Sequence, residues 1–378
     1  MTSRAGKEGT PTKMFKTWKT TRREFIETCS SGFLAMSTGL AGELPIVRQY
    51  RRGGMVYRRL GQTDMDVSLL SFGSHTDSAD RRPTGPDKTV LTAEGQVRRD
   101  SIIAHAFDLG VNLLDVYESE GQWEPAARLV KGKRNQVLIS LAHEVSPKDI
   151  DRAAGLFGYV DLYRFHTADI DEKTLEQWDV LRKAKEAGKI RAIGIATHIE
   201  RTMALALDQL EGIDYLFFPY NFIHARADYS QFLPRAIRKG VGLIGMKPLA
   251  SGSIAKLDPL ARPGAKPEYD ELQLWQRQNK RILPAAVAEL IKSLERLPDE
   301  TLCMAAMRFV YSRPFVTTAI TGMFEERLLE DNYNALVRYT EMKPEEQAAL
   351  DAARRLADLS AGHWLPTHYR WLEDQWRG

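Results

Sequence analysis

From Met55 onward, short apolar runs alternate with longer stretches in which charges interrupt an apolar spacing of about 3.6 residues, the pattern of βα units that build a parallel sheet. The runs predict strands at Val67–Gly73, Val111–Val116, Gln136–Leu141, Val160–His166, Ile190–Ala196, Ile213–Pro219, Val241–Lys247 and Thr317–Thr321. Between them, segments such as Arg98–Leu109, Trp123–Val130, Leu175–Ala187, Phe232–Lys239 and Leu302–Tyr311 predict helices. Gly188 stands where the third of these should end in a left-handed turn. Eight such strands predict an α/β fold, a closed (β/α)8 TIM barrel. No GxGxxG follows the first run, which argues against a doubly wound dinucleotide-binding sheet.

Three stretches break the repeat. Thr76–Glu94 and Ser253–Lys280 predict long loops over the barrel mouth, as lids or as plain insertions. After Lys343 the pattern predicts one more helix to about Ala361, then a tail carrying Trp364, Tyr369, Trp371 and Trp376, which should pack on the barrel or on a partner subunit. The barrel is thus expected over 55–340 and a C-terminal helical and aromatic extension over 341–378.

With 378 residues, 43% apolar and 27% charged, the chain reads as globular rather than disordered or membrane-spanning. A formal charge of +3 is too small to imply a nucleic-acid partner. Two cysteines, Cys29 and Cys303, cannot build a disulfide framework, a four-thiolate zinc site or an iron–sulfur cluster.

The first 41 residues read differently from the rest. A polar, basic stretch leads to Thr21-Arg22-Arg23-Glu24-Phe25-Ile26 and a weakly apolar run from Cys29 to Gly42, too short to span a bilayer. This resembles a twin-arginine (Tat) signal, although Glu27 stands where such signals commonly carry lysine. The resemblance implies the Tat translocase as a partner, cleavage near Ala41 and a periplasmic mature protein without a stable membrane span.

Several motifs of the barrel region resemble the aldo/keto reductase family, in its order and at its spacing. They are Tyr57-Arg58-Arg59-Leu60-Gly61, Gly110-Val111-Asn112-Leu113-Leu114-Asp115, Asp161-Leu162-Tyr163-Arg164-Phe165-His166, Gly188-Lys189-Ile190-Arg191-Ala192-Ile193-Gly194-Ile195, Tyr220-Asn221, Met246-Lys247-Pro248-Leu249, and Gly322-Met323 with Asp331-Asn332. The resemblance implies a tetrad of Asp, Tyr, Lys and His at the strand ends with NAD(P)H across the mouth. In that chemistry a tyrosine gives a proton to the carbonyl oxygen, an ammonium paired with the aspartate lowers the tyrosine's pKa, and the histidine orients the carbonyl.

Carried over by position, Asp115 and His166 match the tetrad. The tyrosine position holds Glu120 and the lysine position Ala142, followed by His143; Tyr117 is the alternative source of a phenol. Thr197, His198, Asn221, Lys247 and Asn332 are the residues expected to hold the dinucleotide. Phe324-Glu325-Glu326 falls where the family often places a cation for the 2′-phosphate, so NAD is the better expectation than NADP.

Five histidines, His75, His143, His166, His198 and His224, fall at or just past strand ends, on the face where barrels build active sites. With Asp115, Glu118, Glu120 and Glu144 they offer ligands for a divalent metal, or they line a polar pocket for a sugar or carbonyl. Three functions stay open: an exported oxidoreductase acting on a carbonyl or a sugar-type secondary hydroxyl with bound NAD(P), a non-redox lyase, isomerase or hydrolase using His143, His166, Glu120 and Asp115, and a non-catalytic binding protein on the same barrel.

Overall fold

The computed structural model describes residues 48–222, 224–252, 254, 294, 296–338, 342–346 and 348. The signal expected over 1–41, most of the stretch 253–280 and the aromatic tail lie outside them. The chain enters through three antiparallel strands, β1 (Gln49–Arg52), β2 (Met55–Arg59) and β3 (Asp66–Ser68), and then forms the first barrel strand, β4 (Leu70–Phe72). The single run read at Val67–Gly73 is thus two short strands. Leu60, Met65 and Val67, around the β2–β3 turn, pack with Leu113, Leu162 and Ala192 to plug the end of the barrel where its strands begin.

The stretch 76–94, expected as a loop, forms a hairpin of β5 (Arg81–Gly85) and β6 (Lys88–Leu91), followed by α1 (Ala93–Asp108). The hairpin leaves much of its surface to solvent and carries Pro83 and Gly85, so no apolar alternation marks it in the sequence. Helix α1 begins five residues before the apolar pattern becomes clear, because the Thr92 hydroxyl accepts from the Gly95 N–H and caps it.

The remaining barrel strands are β7 (Leu113–Tyr117), β8 (Leu138–Ala142), β9 (Val160–His166), β10 (Ile190–Ala196), β11 (Tyr215–Pro219), β12 (Gly242–Met246) and β13 (Thr318–Thr321). All pair in parallel in chain order, and β13 closes on β4. Helices α2 (Trp123–Leu129), α3 (Pro147–Phe157), α4 (Glu172–Glu186), α5 (Glu200–Gln209), α6 (Phe232–Arg238), α7 (Leu302–Tyr311) and α8 (Glu326–Val337) cover the outside. The Asp171 carboxylate caps the start of α4, and Gly188 past its end takes φ +72°, as the sequence suggested.

Strand residues alternate between an outer layer against the helices and an inner layer. The inner layer turns polar along the strands. Ser71 and Thr318 share a 2.6 Å hydrogen bond, and Asp115, Ser140 and Arg164 lie on neighbouring strands nearby.

Candidate active site

Parallel register brings the first group together. Asp115 on β7 faces Ser140 on β8, and Ala142 at the end of β8 faces Arg164 on β9. Because Ala142 has no long side chain, the Arg164 guanidinium reaches the Asp115 carboxylate. It donates to both oxygens at 2.6 and 2.7 Å. Ser140 closes the group, accepting from Arg164 at 2.8 Å and donating to Asp115 at 2.6 Å.

The guanidinium carbon lies 3.9 Å from the centroid of the Phe217 ring, the stacked geometry in which a cation gains from an aromatic face. Gly194, the register partner of Arg164 on the next strand, leaves room for Tyr215, since a Cβ there would come within 2.4 Å of the Tyr215 carbonyl oxygen and 2.9 Å of its ring. Both members of the ion pair are fully buried. Burial alone pushes the Asp115 carboxyl up, but the Arg164 charge and its hydrogen bonds outweigh this and hold it below the ordinary value. The pair is therefore ionised at every physiological pH.

Tyr117 ends β7, two residues past Asp115 and on the same inward face. Its phenol contacts Arg164 and Ser74, and its ring meets His75 edge to face with centroids 5.0 Å apart. Burial raises the phenol's pKa, and the Arg164 charge offsets only part of the rise, so Tyr117 is a protonated donor at neutral pH. The loop bearing Ser74 and His75 is fixed from outside by Arg99 of α1, whose guanidinium donates to the carbonyls of Gly73, Ser74 and His75.

His166 ends β9, two residues past Arg164. It is exposed at the rim of the mouth, and partial desolvation by the surrounding protein first, then the positive charges of Arg164 and Lys247, lower its pKa to about 4. Lys247 follows β12, and burial lowers its ammonium to about 7. Its amine touches His198 Nε2. Its backbone takes the left-handed φ of +57°, rare for a residue with a Cβ and rarer still before a proline. Two bonds hold it there: the Lys247 carbonyl accepts from Asn221 Nδ2 at 3.1 Å and from the Ala250 N–H at 2.9 Å.

Of the candidates from sequence, Asp115, Tyr117 and His166 thus converge, with His198 and Lys247 on the other side of the mouth. Glu120 does not join them. Its carboxylate accepts from the Thr76 N–H and hydroxyl, both at 2.6 Å, and meets His75 and Arg81, so it anchors the start of the β5–β6 hairpin. His143 packs edge to face on Trp123, with its Nε2 3.8 Å from Asp149 at the start of α3. Asn332 is buried and donates to Thr321 Oγ1, while Asn221 has both ends of its amide engaged, at the Lys247 carbonyl and the His224 N–H. Thr197 is buried, its hydroxyl accepting from the Ile199 N–H. No group of three or more His, Cys, Asp or Glu among the described residues is arranged to hold a metal ion.

Arg164 is the residue that reading by position passed over. Its residue type carries a signal, since an arginine on the inward alternation of a barrel strand needs a buried anion, but which anion that is follows only from the register across β7, β8 and β9. At the rim outside the barrel, an open groove of about 740 Å³ separates the first turns of α1 and α8, lined by Glu94, Arg98, Glu325 and Glu326 among others.

The sequence model of the aldo/keto reductase family matches residues 96–355. An L-galactose dehydrogenase of Arabidopsis thaliana is 23% identical over 331 residues, covering 81% of this chain and 96% of its own. A probable voltage-gated potassium channel subunit beta of the same plant is 25% identical over 315 residues, covering 75% and 91%. Among solved structures, the holo form of the aldo-keto reductase AKR11C1 from Bacillus halodurans superposes with a TM-score of 0.60 at 19% identity, covering 79% of this chain and 95% of that one.

Proposed function

Because the chain belongs to the aldo/keto reductase family, we propose that it reduces a small carbonyl compound, of aldehyde, ketone or sugar type, with Tyr117 as proton donor and with NADH as the hydride source. The observation that carries this reading is the buried Asp115–Arg164 pair, which sets the Arg164 guanidinium against the Tyr117 phenol at the end of β7, with His166 two residues past Arg164 at the end of β9.

The bound dinucleotide would supply the hydride. Tyr117, protonated at neutral pH, gives its proton to the carbonyl oxygen as negative charge gathers there, and Arg164 stabilises the phenolate left behind. Neutral His166 retains one ring N–H with which to orient the oxygen. The raised pKa keeps the proton on the phenol at neutral pH, and the neighbouring Arg164 charge, which lowers that pKa, is what eases its transfer as the carbonyl oxygen gains charge. Arg164 differs from a lysine in that it never loses its own proton, so it acts as a fixed charge and not as a proton carrier.

Thr197, His198 and Lys247 are the residues that would face the dinucleotide, and a phosphate beside the half-buried Lys247 ammonium would stabilise its charge. The amides of Asn221 and Asn332 are engaged within the protein. Near the start of α8, Glu325 and Glu326 oppose a 2′-phosphate, which favours NADH over NADPH. The test is titration of the purified protein with NADH and NADPH by nicotinamide fluorescence, followed by carbonyl-dependent NADH oxidation. NADH should bind at least about tenfold more tightly than NADPH, and Tyr117→Phe should bind NADH normally while losing about 100-fold or more in kcat. Failure to bind either dinucleotide, or full activity in Tyr117→Phe, would overturn the proposal.

A further inference from the structure

The amine of Lys247 has a setting that hydride transfer does not require. It lies at the carboxyl end of a barrel strand, on the face where barrel chemistry is done, with its side chain directed at His198 Nε2 and its charge felt by His166 across the mouth. Its backbone is held in the left-handed region at φ +57°, a strained conformation that clusters at functional sites. Pro248 stiffens the chain on one side, and Asn221 pins the Lys247 carbonyl. A lysine needed only for its charge would do as well on relaxed backbone.

We propose that Lys247 is an amine nucleophile that forms a reversible imine with small aldehydes or ketones entering the barrel mouth, with His198 moving the protons. The nitrogen lone pair attacks the carbonyl carbon, a C–N bond forms, and the π pair moves to oxygen. His198 carries one proton from the nitrogen to the alkoxide, giving the carbinolamine, and then the second nitrogen proton to the hydroxyl, which leaves as water as the C=N bond forms. No electrons are gained or lost, and no co-reactant is required.

A lysine amine must be neutral to attack, and burial supplies that condition here. With its pKa near 7, about half of Lys247 is neutral at pH 7, whereas an ordinary lysine near 10.5 is almost wholly protonated. This activity goes beyond the proposed reduction and shares only its class of carbonyl ligand. A dinucleotide phosphate at Lys247 would hold the amine protonated and compete with it.

The test uses the full chain without dinucleotide at pH 7, incubated with glycolaldehyde and cyanoborohydride, which reduces an imine to a stable secondary amine. The labelled residues are then mapped by peptide mass spectrometry. Lys247 should be labelled at least tenfold faster than the exposed Lys148 and Lys173. Labelling at that position should vanish in Lys247→Arg, and the His198→Ala protein should label Lys247 at least about tenfold more slowly. Labelling of Lys247 no faster than that of the exposed lysines, or unchanged in His198→Ala, would overturn the proposal. NADH oxidation by the same preparation is measured separately, so loss of the reductase reading and loss of the imine are told apart.

Discussion

The Asp115–Arg164 pair is a single residue's answer to a missing partner. Where a lysine at position 142 would supply the charge, the chain has an alanine, and an arginine from the adjacent strand fills the space. A guanidinium is better suited to this burial than an ammonium, because it spreads its charge, forks onto both carboxylate oxygens and stacks on Phe217. Removing one member of such a pair leaves an uncompensated buried charge, at a cost of about 3–5 kcal/mol. Arg164→Met should therefore destabilise strongly in chemical denaturation, and adding Asp115→Leu should recover most of that loss while carbonyl reduction stays lost. Arg164→Lys should fold better than Arg164→Met yet reduce more slowly than wild type, since one ammonium cannot hold both oxygens and the phenol together. If the double variant were no more stable than Arg164→Met, the two charges would not be coupled as described.

At the scale of elements, Glu120 shows how position in a motif and role in a fold can part. It occupies the place of a phenol in the family pattern but turns away, and its charge anchors the β5–β6 hairpin through Thr76, Arg81 and His75. Burial pushes its carboxyl up, but those bonds hold it below the ordinary value, so the anchor stays charged at neutral pH. Glu120→Gln preserves the shape and removes the charge. Its expected signature is a severalfold rise in KM with kcat within about twofold, because a loosened hairpin next to Tyr117 alters access and not proton transfer. A fall in kcat at constant KM would return Glu120 to the chemistry. The barrel strands were legible because a fully buried parallel strand is a continuous apolar run, and β9 and β10 match their predicted limits. The hairpin was not, because solvent on its faces leaves no apolar alternation. Asp115 and His166 could be placed from motif spacing alone, whereas the partnership of Asp115 with Arg164 depends on register across two strand pairs and only the closed barrel reveals it.

For the whole molecule, relatives of similar likeness bear names as different as a dehydrogenase and a potassium channel subunit, so the barrel alone does not fix the activity and the mouth residues must. Those residues also shape the protein's response to acid. The folded His166 has its pKa lowered from 6.5 to about 4, so between these values the unfolded chain takes up a proton that the fold refuses, and stability drops as pH falls from 6.5 to 4. Lys247 acts in the same sense at higher pH, since its value falls from 10.5 to about 7, and it disfavours the fold progressively as pH drops through that range. Asp115, lowered below 3.8, contributes stability above that value and loses it as pH falls through its folded pKa. All three therefore weaken the fold on acidification, in separate windows. Thermal melts from pH 8 to 4 should show His166→Gln losing less of its melting temperature than wild type between pH 6.5 and 4, with the two curves parallel above 7. Parallel curves throughout would mean that His166 is not held neutral at the mouth, and the orienting role given to its ring would lose its electrostatic basis.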